Sequence, residues 1–167
     1  MNEWKIKKFD ELTLKQLYEI SRSRFEVFIQ EQKIICEEEL DGLDGKCVHV
    51  FLEDGEQVVA YCRIVPKGIG YEYISIGRVL VLKEFRRKGI AREMLDITIE
   101  YIKGNYKDTR IVLSAQVYAK ALYESVGFIS DNNVYKEAGI SHVKMYKTFN
   151  WNSFSRFFDC DLYKIIV

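Results

Sequence analysis

Residues 78–95, RVLVLKEFRRKGIAREML, carry an apolar run of strand character through three consecutive cations and a glycine into an amphipathic helical pattern. Strand, basic turn, glycine and helix together make an anion-binding turn. The first N–H groups of a helix have no intrahelical partner, the helix N-terminus carries partial positive charge, and glycine lets the backbone approach a ligand. Arg86, Arg87 and Lys88 add cationic charge ahead of Gly89. Taken alone, the same residues also describe a solvated basic turn before a helix, so the choice rests on the flanking chain.

Before this stretch, Tyr73–Leu82 is rich in β-branched and aromatic residues, and Val48–Leu52 and Val58–Val65 flank an Asp-Gly hairpin signal at Asp54-Gly55. Three antiparallel strands are predicted. Trp4–Phe9 reads as a short strand, and Asp10 and Thr13 offer caps for a helix. In it Leu14, Leu17, Tyr18, Phe25 and Phe28 keep helical spacing and define the expected buried face. The acidic run Gln30–Lys46 is long for a simple connection and is a candidate functional loop.

After the stretch, Ile90, Met94, Leu95, Thr98, Tyr101 and Ile102 share a helical face that ends at Gly104 and Asn105. Ile111–Ala115 is a continuous apolar run, as expected of a strand covered on both faces and reached by a helical crossover. Lys120–Val126 reads as a helix stopped by Gly127, and Phe128–Tyr135 and Ile140–Lys147 as two last strands. The predicted order is β-α-β-β-β-α-β-α-β-β, an α/β fold with a mixed central sheet and helices on both faces.

At 167 residues and 48% hydrophobic the chain suits one domain. Lys+Arg and Asp+Glu both number 25, so no global positive field draws it to nucleic acid and any basic patch is local. Cys36, Cys47, Cys62 and Cys160 form no C-x-x-C pair and have no histidine at finger spacing. The N-terminal MNEWKIKKFDEL lacks an apolar signal core, and no segment approaches the roughly 20 apolar residues of a membrane span. A reducing cytoplasm is the expected compartment, with no membrane partner.

RRKGIA, Arg86 to Ala91, resembles the R/Q-x-x-G-x-G/A loop with which Gcn5-related N-acetyltransferases (GNAT) hold the pyrophosphate of acetyl-coenzyme A, and it follows a strand as in that family. AQVYAKALYESVGF, residues 115–128, resembles the family's second coenzyme segment. Gln116 stands where asparagine is common, Ala119 is in step, Tyr123 takes the tyrosine position and Gly127-Phe128 closes the segment. RFEVFIQEQ, DGLDGKCVH and EAGISHVKM look closest to the ElaA-like branch. The resemblance implies a single-domain GNAT acyl-CoA N-acyltransferase fold over residues 1–148. The stretch 149–167 is left as an extension without an assigned role, expected to pack on the same domain, and its aromatic character leaves a homodimer open.

The resemblance further implies that the backbone of Val79, Leu80 and Val81 pairs with pantetheine while N–H groups from Arg87 through Gly89 and Ile90 to Ala91 take the pyrophosphate. Tyr123 is the expected acid for the departing thiolate; an aromatic packing the helix is the structural alternative. For the base, Glu31 sits where the first helix ends, and the imidazoles of His142 and His49 are the other candidates. Arg24, Gln32, Arg78 and His142 are expected around the acceptor. Arg78 among apolar neighbours needs a partner, either a carboxylate of the acidic loop or one on the substrate. The acidic loop reads as a solvated turn, with attraction of a cationic amine by Asp41 and Asp44 as the other reading; its carboxylates lack the full calcium-loop pattern, and no metal is expected.

Two other functions compete. Acyl-homoserine-lactone synthases resemble the chain in R-x-x-V-F, Arg24 to Phe28, in E-x-D-x-x-D, Glu39 to Asp44, and in an arginine such as Arg63, but they generally lack the R-x-x-G-x-A turn. A noncatalytic acyl-CoA-binding module would keep the pocket without turnover. The acceptor, a small-molecule or peptide amine, is not specified by any motif.

Overall fold

The computed structural model describes residues 3–149. Its strands are β1 (Glu3–Lys8), β2 (Val48–Asp54), β3 (Gln57–Val65), β4 (Ile74–Val81), β5 (Arg110–Gln116), β6 (Ile129–Glu137) and β7 (Ile140–Thr148). Its helices are α1 (Leu14–Arg24), α2 (Ile90–Asn105) and α3 (Lys120–Ser125), in the order the sequence predicts. The strands form one sheet, β1-β2-β3-β4-β5-β7-β6, in which only β4 and β5 run parallel. Consecutive residues of β3 point to opposite faces. The Tyr61 ring lies under the Arg24 guanidinium of α1, whereas the Cys62 thiol meets Thr98 of α2. Helices therefore cover both faces, and β3 is buried along almost its whole length.

Thr13 starts α1 through a capping box: its hydroxyl accepts from the Gln16 N–H, and the Gln16 side chain accepts from the Thr13 N–H. The face this helix buries is not the one its apolar spacing predicts. Leu14, Tyr18 and Phe25 are 88%, 67% and 51% exposed, while Gln16, Ile20, Ser23 and Arg24 point inward. Polar groups occupy the inner face because each has a partner there. Gln16 donates to Glu53, Ser23 donates to the Val58 carbonyl at 2.6 Å, and Arg24 meets the acidic loop. At Phe25 the helix widens into a π-helical segment, Phe25–Glu31, so a single 3.6-residue period does not describe the whole stretch.

The sheet opens at its centre. Pairing of β4 with β5 is confined to Ile74↔Ile111 and Ser75↔Val112, after which the two strands part. On the other edge of β4, Tyr61 pairs with Leu80 but Arg63 with Gly77, so three residues of β4 oppose two of β3. The extra residue makes a β-bulge, and Arg78 within it has φ +55°, a value non-glycine residues rarely adopt. Residues 150–167, most of the extension, lie outside the described part; Phe149 at its start donates its N–H to the Thr109 carbonyl at 2.8 Å.

Candidate active site

Two helices begin where β4 and β5 diverge. After β4, the turn through Arg86, Arg87 and Lys88 reaches Gly89, which caps α2 at φ +80° without any side-chain cap, so the first-turn N–H groups of Ile90 and Ala91 have no acceptor from the cap. Arg87, at φ +63°, Lys88 and Gly89 are exposed, and a Cβ at Gly89 would meet no atom within 4 Å. Leu80 and Val81 direct buried side chains into the core, whereas Val79 is half-buried and lines the opening. After β5, Gln116 leads through Val117–Ala119 into α3, which carries Tyr123.

Between these strand ends lies a cleft of about 260 Å³. It brings together Gln32, Arg78, Val79, Gln116, Tyr123 and His142 from the expected set. Gln116 donates to the Gln32 side chain at 3.1 Å, and Gln32 donates to the Tyr118 hydroxyl at 3.4 Å, a polar bridge across the opening. Burial pushes the Tyr123 phenol well above its ordinary value, so it stays protonated and able to donate at neutral pH. Burial likewise raises the thiols of Cys47 to about 11 and Cys62 to about 12, which leaves neither as a thiolate nucleophile at neutral pH.

Other expected residues are placed elsewhere. Glu31 does not line the cleft; the Arg86 guanidinium holds both its oxygens, at 2.7 and 2.6 Å. That hydrogen-bonded pair keeps the Glu31 carboxyl below its usual range, a state opposed to proton uptake. Arg24, expected at the acceptor, is 1% exposed and spends its guanidinium on Glu39, at 2.5 Å, and on both Asp44 oxygens, at 2.9 Å. His49 is fully buried between the Tyr61 hydroxyl and the Asp44 carbonyl, at 2.9 and 3.1 Å, and burial holds its pKa down.

The acidic loop is ordered by arginines rather than left to solvent. Arg63 donates to Asp41 and, at 2.8 Å, to Asp44; Arg78 Nε lies 2.9 Å from Glu39 Oε2 and its Nη2 donates to the Glu38 carbonyl and Asp41 at 3.3 Å. Thus the partner Arg78 needs comes from this loop, and it anchors the strained bulge. Among the described residues no group of three or more His, Cys, Asp or Glu could hold a metal ion. Burial raises the Asp41 carboxyl, but the hydrogen bond from Arg63, the Leu43 N–H and the Arg63 and Arg78 charges outweigh it and hold the pKa at about 2, below the ordinary 3.8. A depressed carboxylate stabilises the fold above its unfolded pKa and loses that contribution as pH falls through the folded one. Urea midpoints are therefore expected to fall between pH 3.8 and about 2, and Asp41→Asn to remove about 2 kcal/mol of that dependence. An identical acid limb in the variant would refute the assignment.

Sequence reasoning missed the far wall of the cleft. Tyr135 and Ser114 hydroxyls lie 2.5 Å apart, and Ser114 donates to Glu137 at 2.9 Å, with Tyr71 and His142 beside them. Only the Gln116↔His142↔Tyr135 pairing of β5, β7 and β6 assembles this row, and no local motif signals it.

The sheet is thus parted between its two parallel strands, with a glycine-capped helix start at one end of the gap. The chain belongs to the GNAT acetyltransferase family: the acetyltransferase (GNAT) domain matches residues 13–149. It is 32% identical over 146 residues to the protein ElaA of Escherichia coli, covering 87% of this chain and 95% of that one. A UPF0039 protein of Schizosaccharomyces pombe is 38% identical over 145 residues, 86% of this chain and 95% of the relative. The crystal structure of E. coli ElaA superposes with a TM-score of 0.81 at 32% identity, covering 88% of this chain and 99% of that one. An acyl-CoA N-acyltransferase from Pseudomonas aeruginosa matches at TM-score 0.80 and 32% identity, covering 89% of this chain and 100% of that one. The CoA-dependent acyl-homoserine lactone synthase BjaI shares the fold alone, at TM-score 0.74 and 12% identity over 92% of this chain and 86% of that one. Among the described residues no helix is long and apolar enough to cross a membrane.

Proposed function

We propose that this N-acetyltransferase moves the acetyl group of acetyl-coenzyme A to a primary amine by direct attack in a ternary complex, in a reducing cytoplasm. The observation that carries the reading is the edge of β4 beyond Ser75, unpaired with β5 and adjacent to the glycine-capped start of α2. Pantetheine amides fit an unpaired strand edge at Val79, Leu80 and Val81, and a pyrophosphate fits the N–H groups from Arg87 to Ala91. The bulge at Arg78 precedes Val79, whose N–H is the donor proposed for the thioester oxygen. Gln116 bounds the same gap from β5.

In the reaction an acceptor ammonium first gives up one proton, because only the neutral amine has a lone pair. The nitrogen attacks the thioester carbon, a C–N bond forms, and collapse of the tetrahedral intermediate breaks the C–S bond. Tyr123 gives its proton to the departing thiolate and regains one from the nitrogen, so the products are amide, thiol and the proton removed at the start. For Tyr123→Phe, kcat is expected to fall about tenfold or more with coenzyme affinity unchanged. An unaltered rate would leave Tyr123 as packing.

Calorimetric titration with acetyl-coenzyme A tests the whole reading, with S-adenosylmethionine in parallel because Arg24, Glu39, Asp41, Asp44 and Arg63 also match the synthase pattern. Saturable binding of the acetyl donor alone, followed by coenzyme A release with a panel of primary amines, is expected. Binding of S-adenosylmethionine would favour the synthase, and donor binding without turnover a noncatalytic module.

A further inference from the structure

We infer that His142 is the general base that takes the proton from the acceptor ammonium, an assignment that rests on the transferase reading above. The proton acceptors lining the cleft are Glu37, Glu38, Glu39, Glu137 and His142, with Glu31 and His49 nearby. Glu37 and Glu38 are exposed on the acidic loop, and Glu39 is paired with Arg24 and Arg78. Glu31 is engaged at both oxygens by Arg86 outside the cleft, and both ring nitrogens of His49 are hydrogen-bonded in the core. Glu137 lines the cleft but accepts from Ser114, which ties its carboxylate into a hydroxyl chain with Tyr135.

His142 differs from the others. Its Nδ1 lies 3.0 Å from the Ile140 carbonyl, and a carbonyl oxygen only accepts, so Nδ1 carries the hydrogen. In the neutral ring the lone pair is then on Nε2, which has no hydrogen-bond partner among the described residues. His142 is only 7% exposed, yet it lines the cleft. Stacking on Tyr135, with ring centroids 6.1 Å apart and planes 29° from parallel, fixes the ring's orientation. An anchored donor on one nitrogen and a free lone pair on the other, in a residue that lines the cavity, are what proton abstraction requires. Cross-strand pairing of His142 with Gln116 sets it beside a residue that borders the proposed coenzyme gap. The step moves one proton from R–NH3⁺ to Nε2, leaving R–NH2 for attack and an imidazolium that returns the proton to solvent after product leaves.

Two measurements test this. The chain has only two histidines, so a long-range ¹H–¹⁵N spectrum of the imidazoles, assigned with His142→Gln, reads the tautomer directly. The Nδ1–H form is expected at His142, and an Nε2–H form would overturn the inference. In turnover with acetyl-coenzyme A and an amine the wild type accepts, His142→Gln is expected to lower kcat about a hundredfold with coenzyme affinity unchanged. Added imidazole is expected to restore part of the rate of His142→Ala. A kcat within threefold of wild type, or a loss shared by coenzyme affinity, overturns His142 alone. A wild type that binds the coenzyme and acetylates no amine overturns the transferase reading and this base together.

Discussion

A Gly89→Glu protein is expected to fold and to lose acetyl-coenzyme A binding by a hundredfold or more in Kd. Nothing stands within 4 Å of a Cβ built at Gly89, so the side chain enters open space in the free protein. The cost to folding is conformational, because φ +80° is disfavoured for a residue with a Cβ by about 1–2 kcal/mol. The cost to binding is larger. A carboxylate set about 4 Å from a pyrophosphate charge at an effective dielectric of about 20 is repelled by about 4 kcal/mol, and each 1.4 kcal/mol is tenfold in affinity. Gly89→Ala separates the two contributions, since it shares the strain without the charge and is expected to lose about tenfold or less. Calorimetry on variants with wild-type circular dichroism provides the check. Unchanged affinity in Gly89→Glu would remove the phosphate from this turn.

Local pattern made the strand order and the α2 turn readable, because each depends on residues close in the chain. The hairpin at Gly55, the amphipathic face of α2 and the glycine before it need no distant partner to be recognised. α1 was misread for the opposite reason. Its inner face is polar, and Gln16, Ser23 and Arg24 are tolerable there only because Glu53, Val58 and the loop 39–44 supply partners 15 to 37 residues away. Neither the parting of β4 from β5 after Ser75 nor the bulge at Arg78 carries a mark of its own in the sequence. At the cleft, Tyr123 and Gln116 came from a contiguous segment. Ser114, Tyr135 and Glu137 meet only through cross-strand register, and Glu31 is drawn out of the cleft by an arginine 55 residues further on.

Replacing Arg24 with Met is expected to cost about 3–5 kcal/mol of stability, the range found when one partner of a buried ion pair is removed. Three arginines, Arg24, Arg63 and Arg78, interleave with three carboxylates, Glu39, Asp41 and Asp44, so the cluster is balanced as it stands. Removing Arg24 strips Glu39 and Asp44 of their most buried cation and leaves the Glu39 carbonyl without the donor now 2.6 Å away. The methionine fills volume but satisfies none of these atoms. Function is expected to follow stability, because Glu39 and Asp41 hold the Arg78 side chain at the φ +55° bulge beside Val79, whose N–H is proposed above for the thioester oxygen. Relaxation of that bulge lowers kcat more than it weakens coenzyme binding, whose pyrophosphate contacts lie on the α2 turn. Urea denaturation measures the first effect and the split between kcat and coenzyme Kd the second. Adding Glu39→Gln to the Arg24→Met protein restores the balance of two arginines to two carboxylates and is expected to recover part of the stability without restoring the rate. A loss under about 1 kcal/mol for Arg24→Met alone would mean that solvent already screens the cluster, and the acidic loop would then be a surface turn and not the clamp that holds Arg78.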